Sequence, residues 1–107
     1  IYKLYLNKSM NMQVREFQTL MRELYLDKDS NRGAERTLLW LVEEVGELSE
    51  ALRKRDGGAM EEELADIIAW TMSLANVLGI DMEEALMDKY PGYCRYCKES
   101  PCACKKK

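Results

Sequence analysis

Residues 60–81 read Met-Glu-Glu-Glu-Leu-Ala-Asp-Ile-Ile-Ala-Trp-Thr-Met-Ser-Leu-Ala-Asn-Val-Leu-Gly-Ile-Asp. The stretch has no alternation of apolar and polar residues, which argues against a strand, and the spacing predicts a helix from about Met60 to Leu78 with Gly79 as its left-handed terminator. Ile67 to Ile80 is a run of fourteen uncharged residues, shorter than the roughly 20 that a membrane-spanning helix needs. Ile67, Ile68, Trp70, Met72, Leu74, Ala75, Val77 and Leu78 surround the helix axis, and a helix apolar on all sides must be covered on all sides. Ile67, Trp70, Leu74 and Val77 make one stripe; Ile68, Met72 and Ala75 make another opposite. One stripe is expected to pack on the rest of the chain and the other on a second copy, giving a homodimer or homotetramer.

Working outward, Leu38, Leu41, Val45, Leu48 and Leu52 follow a 3-4-3-4 spacing, so a second helix is expected over Ala34–Lys54, stopped by Asp56-Gly57-Gly58. Upstream, Val14, Phe17, Leu20, Met21, Leu24 and Tyr25 predict a first helix beginning near Met12, followed by a polar loop from Asp27 to Gly33. Downstream, Asp81 with Glu84 three residues on reads as a capping box opening a short helix to about Lys89. Pro91-Gly92 then ends regular structure. The fold class is all-α: a helical bundle of three long helices and one short helix per chain, completed by oligomerisation, with a cysteine-rich C-terminal tail. Residues 1–11 are read as a leader, because Met10 or Met12 serves as an alternative start. Residues 12–90 form the helical domain and residues 91–107 the tail.

Composition narrows the chemistry. The 107 residues are 47% apolar and 33% charged, with six Gly and two Pro, an ordinary globular balance for one domain. The net charge of −3 gives no reason to expect a nucleic-acid or membrane partner. No basic-then-apolar leader is present, so a soluble cytoplasmic protein is expected. Histidine is absent, which excludes imidazole bases, histidine triads and metal sites that require an imidazole ligand.

Two acidic groups carry the candidate chemistry: Glu43-Glu44-Val45-Gly46-Glu47 on the second helix and Glu63-Leu64-Ala65-Asp66 on the third. Residues three apart on a helix are neighbours, so Glu44 pairs with Glu47, and Glu63 with Asp66. The first pair shares a sector with Trp40 and the second with Trp70, while Glu43 and Glu50 point away from the leucine stripe. Converging carboxylates repel unless they face water or a cation neutralises them. Oxygen ligands without histidine select a hard cation, Mg²⁺ or Mn²⁺. A di-iron bundle would want Glu-x-x-His pairs and is excluded.

The order Glu43-Glu44-x-x-Glu47, fifteen residues, then Glu63-x-x-Asp66 resembles the EExxE…ExxD signature of MazG-type nucleoside triphosphate pyrophosphohydrolases. Asp29-x-x-Arg32-Gly33, Trp40 to Leu48, Glu62 to Asp66 and Asn76 to Asp81 agree with it, over about Met12 to Tyr90. The resemblance implies hydrolysis of a nucleoside or deoxynucleoside triphosphate to the monophosphate and pyrophosphate, with Glu44, Glu47, Glu63 and Asp66 holding Mg²⁺. Glu43 is then a second-metal, water-orienting or structural acid. Trp40 and Trp70 either flank a base or belong to the core, and Lys89 either contacts phosphate or caps the short helix. From a different class, the competing reading is a non-catalytic oligomerisation or regulatory module with a zinc knuckle for a protein or nucleic-acid partner.

The tail packs Cys94-x-x-Cys97-x4-Cys102-x-Cys104 into eleven residues. Four thiolates suit a closed structural Zn²⁺ site; two disulfides or a thiol-rich flexible tail are the alternatives.

Overall fold

A computed structural model describes residues 12–105, and the expected leader, residues 1–11, lies outside these residues. Four helices follow in order: α1 (Val14–Arg32), α2 (Ala34–Lys54), α3 (Gly57–Leu78) and α4 (Met82–Lys89), with no strand among the described residues. No single helix is long and apolar enough to cross a membrane.

The expected loop from Asp27 to Gly33 is helix as far as Arg32. Polar residues without Gly or Pro do not themselves stop a helix. Here Arg32 Nη1 donates to the buried Asp29 Oδ1 at 2.7 Å across one turn and keeps the last turn closed. The break is Gly33 alone, at φ 87°, a region that favours glycine. Its N–H donates to Asp29 O, and its carbonyl accepts from the Thr37 backbone N–H and from Thr37 Oγ1. One residue therefore ends α1 and starts α2.

α2 has its expected bounds. α3 starts three residues earlier than expected because Asp56 is an N-cap, its Oδ1 accepting from Ala59 N–H at 3.1 Å. The two glycines then fall in the first helical turn, and the stop narrows to Arg55 and Asp56, with Arg55 left-handed at φ 55°. Gly79 terminates α3 in the left-handed conformation as expected, with Ile80 N–H returning to Ala75 O. Asp81 caps α4 by accepting from Glu84 N–H at 3.1 Å. The neighbouring Glu83 reaches α1, where Arg15 pairs with both Glu83 and Asp81.

α3 packs chiefly on α2 and secondly on α1. The least exposed positions of α2 are Thr37, Leu41, Glu44, Leu48 and Ala51, spaced four, three, four and three. The stripe facing α3 is thus rotated from the expected leucine stripe, of which it keeps Leu41 and Leu48. The remaining members lie outside: Leu38, Val45 and Leu52 are 48%, 49% and 49% exposed, and Val42 beside them is 59% exposed. Of the expected stripes of α3, Met72 and Ala75 are buried and Ile67, Trp70, Leu74 and Val77 half-buried, whereas Ile68 stays 53% exposed with Leu64 one turn before it. A longer open apolar stripe lies on α2.

A polar knot fastens α1 to the α3–α4 corner. Gln18 Nε2 donates to Asn76 Oδ1 at 3.0 Å and to Ile80 O at 2.7 Å, while Gln18 Oε1 accepts from Met82 N–H at 2.9 Å. Asn76 Nδ2 donates back to Gln18 O, and Arg22 adds a second donor to Asn76 Oδ1. Gln18 and Asn76 are 5% and 7% exposed, so loss of either leaves buried polar atoms without partners. Gln18→Ala should lower the unfolding free energy by about 1–3 kcal/mol in a urea titration. Thr19→Ala, exposed one position on, should stay within about 0.5 kcal/mol of the parent.

Candidate metal and substrate site

Glu44 on α2 and Glu63 on α3 occupy seam positions that would ordinarily be apolar. Glu44, Glu63 and Asp66 each bring a carboxylate oxygen to within 4.8 Å of the other two. Glu44 Oε2 and Glu63 Oε2 are buried without a hydrogen-bond partner. Two orphaned carboxylate oxygens beside a third acid fit a cation's coordination shell better than they fit a satisfied core. The donor set is all oxygen, which suits a hard ion.

Glu47 completes the group from the solvent side. Its carboxyl is held above the ordinary range, chiefly by the charge of Glu63, with which it also shares a hydrogen bond. Glu63 is raised too, first by its hydrogen bond with the Glu44 carboxylate, then by burial and by the Glu44 charge. The four acids expected to act together are thus brought together, two in the seam and two exposed. Glu43 points elsewhere, into a groove lined by Asn31, Arg32, Arg36, Leu39 and Trp40.

Trp40 and Trp70 stack on each other, with ring centroids 6.0 Å apart and planes at 12°. Trp40 is exposed and Trp70 half-buried, so the pair forms a platform rather than a core cluster. The Arg32 guanidinium lies 4.8 Å from the Trp70 ring centroid, within cation–π range. Both residues also line a cavity of about 380 Å³, with Tyr25, Lys28 and Asp29 of α1 and Asp66, Ala69 and Ser73 of α3. Arg32 and Lys28 are cations beside the acidic cluster that sequence reading did not select. Their signal was the Lys28, Asp29, Arg32 spacing of a helix face, hidden by treating the segment as loop. Lys89 is not brought to this site: its ammonium sits 5.7 Å from the Tyr90 ring centroid, and it lines neither cavity.

In the tail, the Sγ atoms of Cys94, Cys97, Cys102 and Cys104 also lie within 4.8 Å of one another, a second arrangement able to hold a metal. Backbone N–H groups of Cys97 and Tyr96 draw the Cys94 thiol down to about 6. Cys97 is lowered by the amides of Ala103 and Glu99. Cys104 is pushed up to about 12 by its hydrogen bonds with Cys102, Cys97 and Cys94, which favour the protonated form.

Paired acids facing each other across two helices place the domain among carboxylate-rich helical bundles. A model of the MazG nucleotide pyrophosphohydrolase domain matches residues 32–97, more than half of the chain, and the chain belongs to that family. The match takes in α2, α3, α4 and the first two cysteines, and leaves nearly all of α1 outside. No curated protein matched the chain.

The acid cluster makes a stability prediction of definite sign. A carboxyl whose pKa is raised on folding binds protons better in the folded state, so its contribution falls as pH rises from the ordinary value of 4.5 towards the raised one. Without divalent cations, the wild type should lose melting temperature relative to Glu63→Gln as pH rises through that window. Parallel melting curves from about pH 4 to about pH 8 in EDTA would contradict the crowding of charge.

Proposed function

We propose that this protein hydrolyses a nucleoside or deoxynucleoside triphosphate to the monophosphate and pyrophosphate in a Mg²⁺-dependent reaction. Family membership supports nucleotide pyrophosphohydrolase activity in general. The observation that carries the finer reading is the pair of orphaned oxygens, Glu44 Oε2 and Glu63 Oε2, beside Asp66 in the α2–α3 seam. Glu44, Glu47, Glu63 and Asp66 would hold the ion, and their hard oxygens favour Mg²⁺ over softer metals. When bound, Mg²⁺ supplies Lewis-acid polarisation of phosphate oxygens and acidifies water.

The chain's own residues do the rest. The exposed members Glu47 and Asp66 face solvent, where a carboxylate can accept the proton of the attacking water. The water oxygen bonds to the α-phosphorus, the bond from that phosphorus to the bridging oxygen breaks, and pyrophosphate leaves with the electron pair. Lys28 and Arg32, which line the same cavity as Asp66, would hold phosphate charge. The Trp40–Trp70 platform offers an aromatic face beside them.

A nucleotide panel with Mg²⁺ in ¹⁸O-water tests this reading. The label should appear in the monophosphate, with pyrophosphate rather than orthophosphate as the second product. Asp66→Asn should abolish turnover and shrink the rise in melting temperature that Mg²⁺ produces in the wild type. Full activity in Asp66→Asn, or label only in pyrophosphate, contradicts the mechanism.

The outer face of α2 supports a homo-oligomer. Leu38, Val45 and Leu52 recur every seven residues, with Val42 filling the stripe. Such a seam meets a second copy of itself in an isologous contact. Light scattering should find an oligomer at micromolar concentration, and Val45→Glu should shift it towards monomer. A stable folded wild-type monomer contradicts this reading.

A further inference from the structure

The catalytic reading leaves the tail beyond Pro91 unused, and the geometry there is that of a site. Cys94 Sγ and Cys104 Sγ are 3.7 Å apart and Cys97 Sγ and Cys102 Sγ are 4.0 Å apart, with all four sulfurs mutually within 4.8 Å. Four sulfurs bound to one ion at about 2.3 Å stand at tetrahedron corners with edges of about 3.8 Å. Sulfurs joined as disulfides would stand at about 2.0 Å instead. We propose that Cys94, Cys97, Cys102 and Cys104 together bind one Zn²⁺ as a closed four-thiolate structural site.

Three further features of the segment fit that assignment. First, backbone amides are aimed at the sulfurs: Ala103 N–H donates to Cys97 Sγ and Cys104 N–H to Cys102 Sγ, each at 3.3 Å. Such bonds orient ligating sulfurs and spread their charge, the role that outer partners play at metal centres. Second, Cys94 is the anchor of a tight turn, its carbonyl accepting from Lys98 N–H at 2.7 Å and its N–H donating to Glu99 O at 3.0 Å, with Lys98 left-handed at φ 63°. That turn folds Cys97 back beside Cys94. Third, the segment has no apolar core to hold this shape. Tyr93 and Tyr96 are exposed, the latter at 79%, and no helix or strand follows α4 among the described residues. A segment this short is ordered by a cross-link or a metal rather than by burial. Soft thiolates and hard carboxylates also sort their ions, so this site and the acid cluster take different metals.

The test uses the full chain and reads metal, not hydrolysis. Elemental analysis of protein prepared with Zn²⁺ present and then dialysed should find about one zinc per chain. Replacement by Co²⁺ should give the intense visible bands of a tetrahedral thiolate centre. Cys97→Ser/Cys102→Ser should lose both the metal and the bands, and its far-UV dichroism should keep the helical signal, because α1–α4 make no hydrogen bonds to the tail cysteines. Iron in place of zinc, a loss of titratable thiols in pairs in the purified protein, or zinc retained by the double variant would each overturn the assignment. Wild-type protein that binds neither ion while its four thiols titrate freely would do so too.

Discussion

Like charge held inside a helix–helix seam is the constraint on which the rest of this molecule turns. Glu44 and Glu63 stand where the α2–α3 contact would otherwise place leucine, each with one buried oxygen that nothing among the described residues satisfies. The contact between α2 and α3 is nevertheless the most extensive among the described residues. Leu41, Leu48 and Ala51 on one side and Ile67, Trp70 and Leu74 on the other must therefore hold two helices together against a repulsion at their centre. Crowded carboxylates in a seam are costly for packing, and perturbed acids of this kind are found at functional sites.

The surroundings of the acids follow from that placement. Because the seam on α2 runs through Glu44, the helix is rotated so that Trp40 and Glu47 form one shoulder and Leu38, Val45 and Leu52 the other. The first shoulder brings Trp40 over Trp70 and keeps Glu47 near Glu63. The second is left apolar and uncovered. Site and open face are two flanks of one helix, so the same rotation that assembles the carboxylates exposes the stripe.

The helix breaks at Gly33 and Gly79 and the acid motif were legible from sequence; the α2 face, the last turn of α1 and the first turn of α3 were not. Gly79 and Asp81 announce themselves because left-handed termination and N-capping are local chemistry. The bounds of α2 and the pairs Glu44/Glu47 and Glu63/Asp66 follow from three- and four-residue spacing, whereas the grouping of the two pairs came from the family resemblance. The rotation of α2 was hidden because an apolar–polar pattern assumes that seam positions are apolar, and here Thr37 and Glu44 hold two of them. The end of α1 was misplaced because Asp27 to Asn31 have the composition of a loop, whereas the Arg32–Asp29 pair that closes the last turn forms only once the helix does. That misplacement also concealed Lys28 and Arg32, which share a cavity with Asp66. Lys89 was selected for its charge, but α4 packs on α1 and carries that lysine away from the cluster within a single chain.

α1 is fixed at two places by unlike means. Near its start, Gln18 is knotted into the corner between α3 and α4; at its end, Arg32 is locked by Asp29, laid against Trp70 and joined to α2 through the single residue Gly33. A stiff rod pinned at both ends behaves as a tie bar. It cannot swing at one end without loading the other, and a one-residue elbow provides no slack to absorb the motion. The helix that carries Lys28 and Arg32 to the edge of the acid cluster is thus the same rigid element that the Gln18–Asn76 knot seats at its other end.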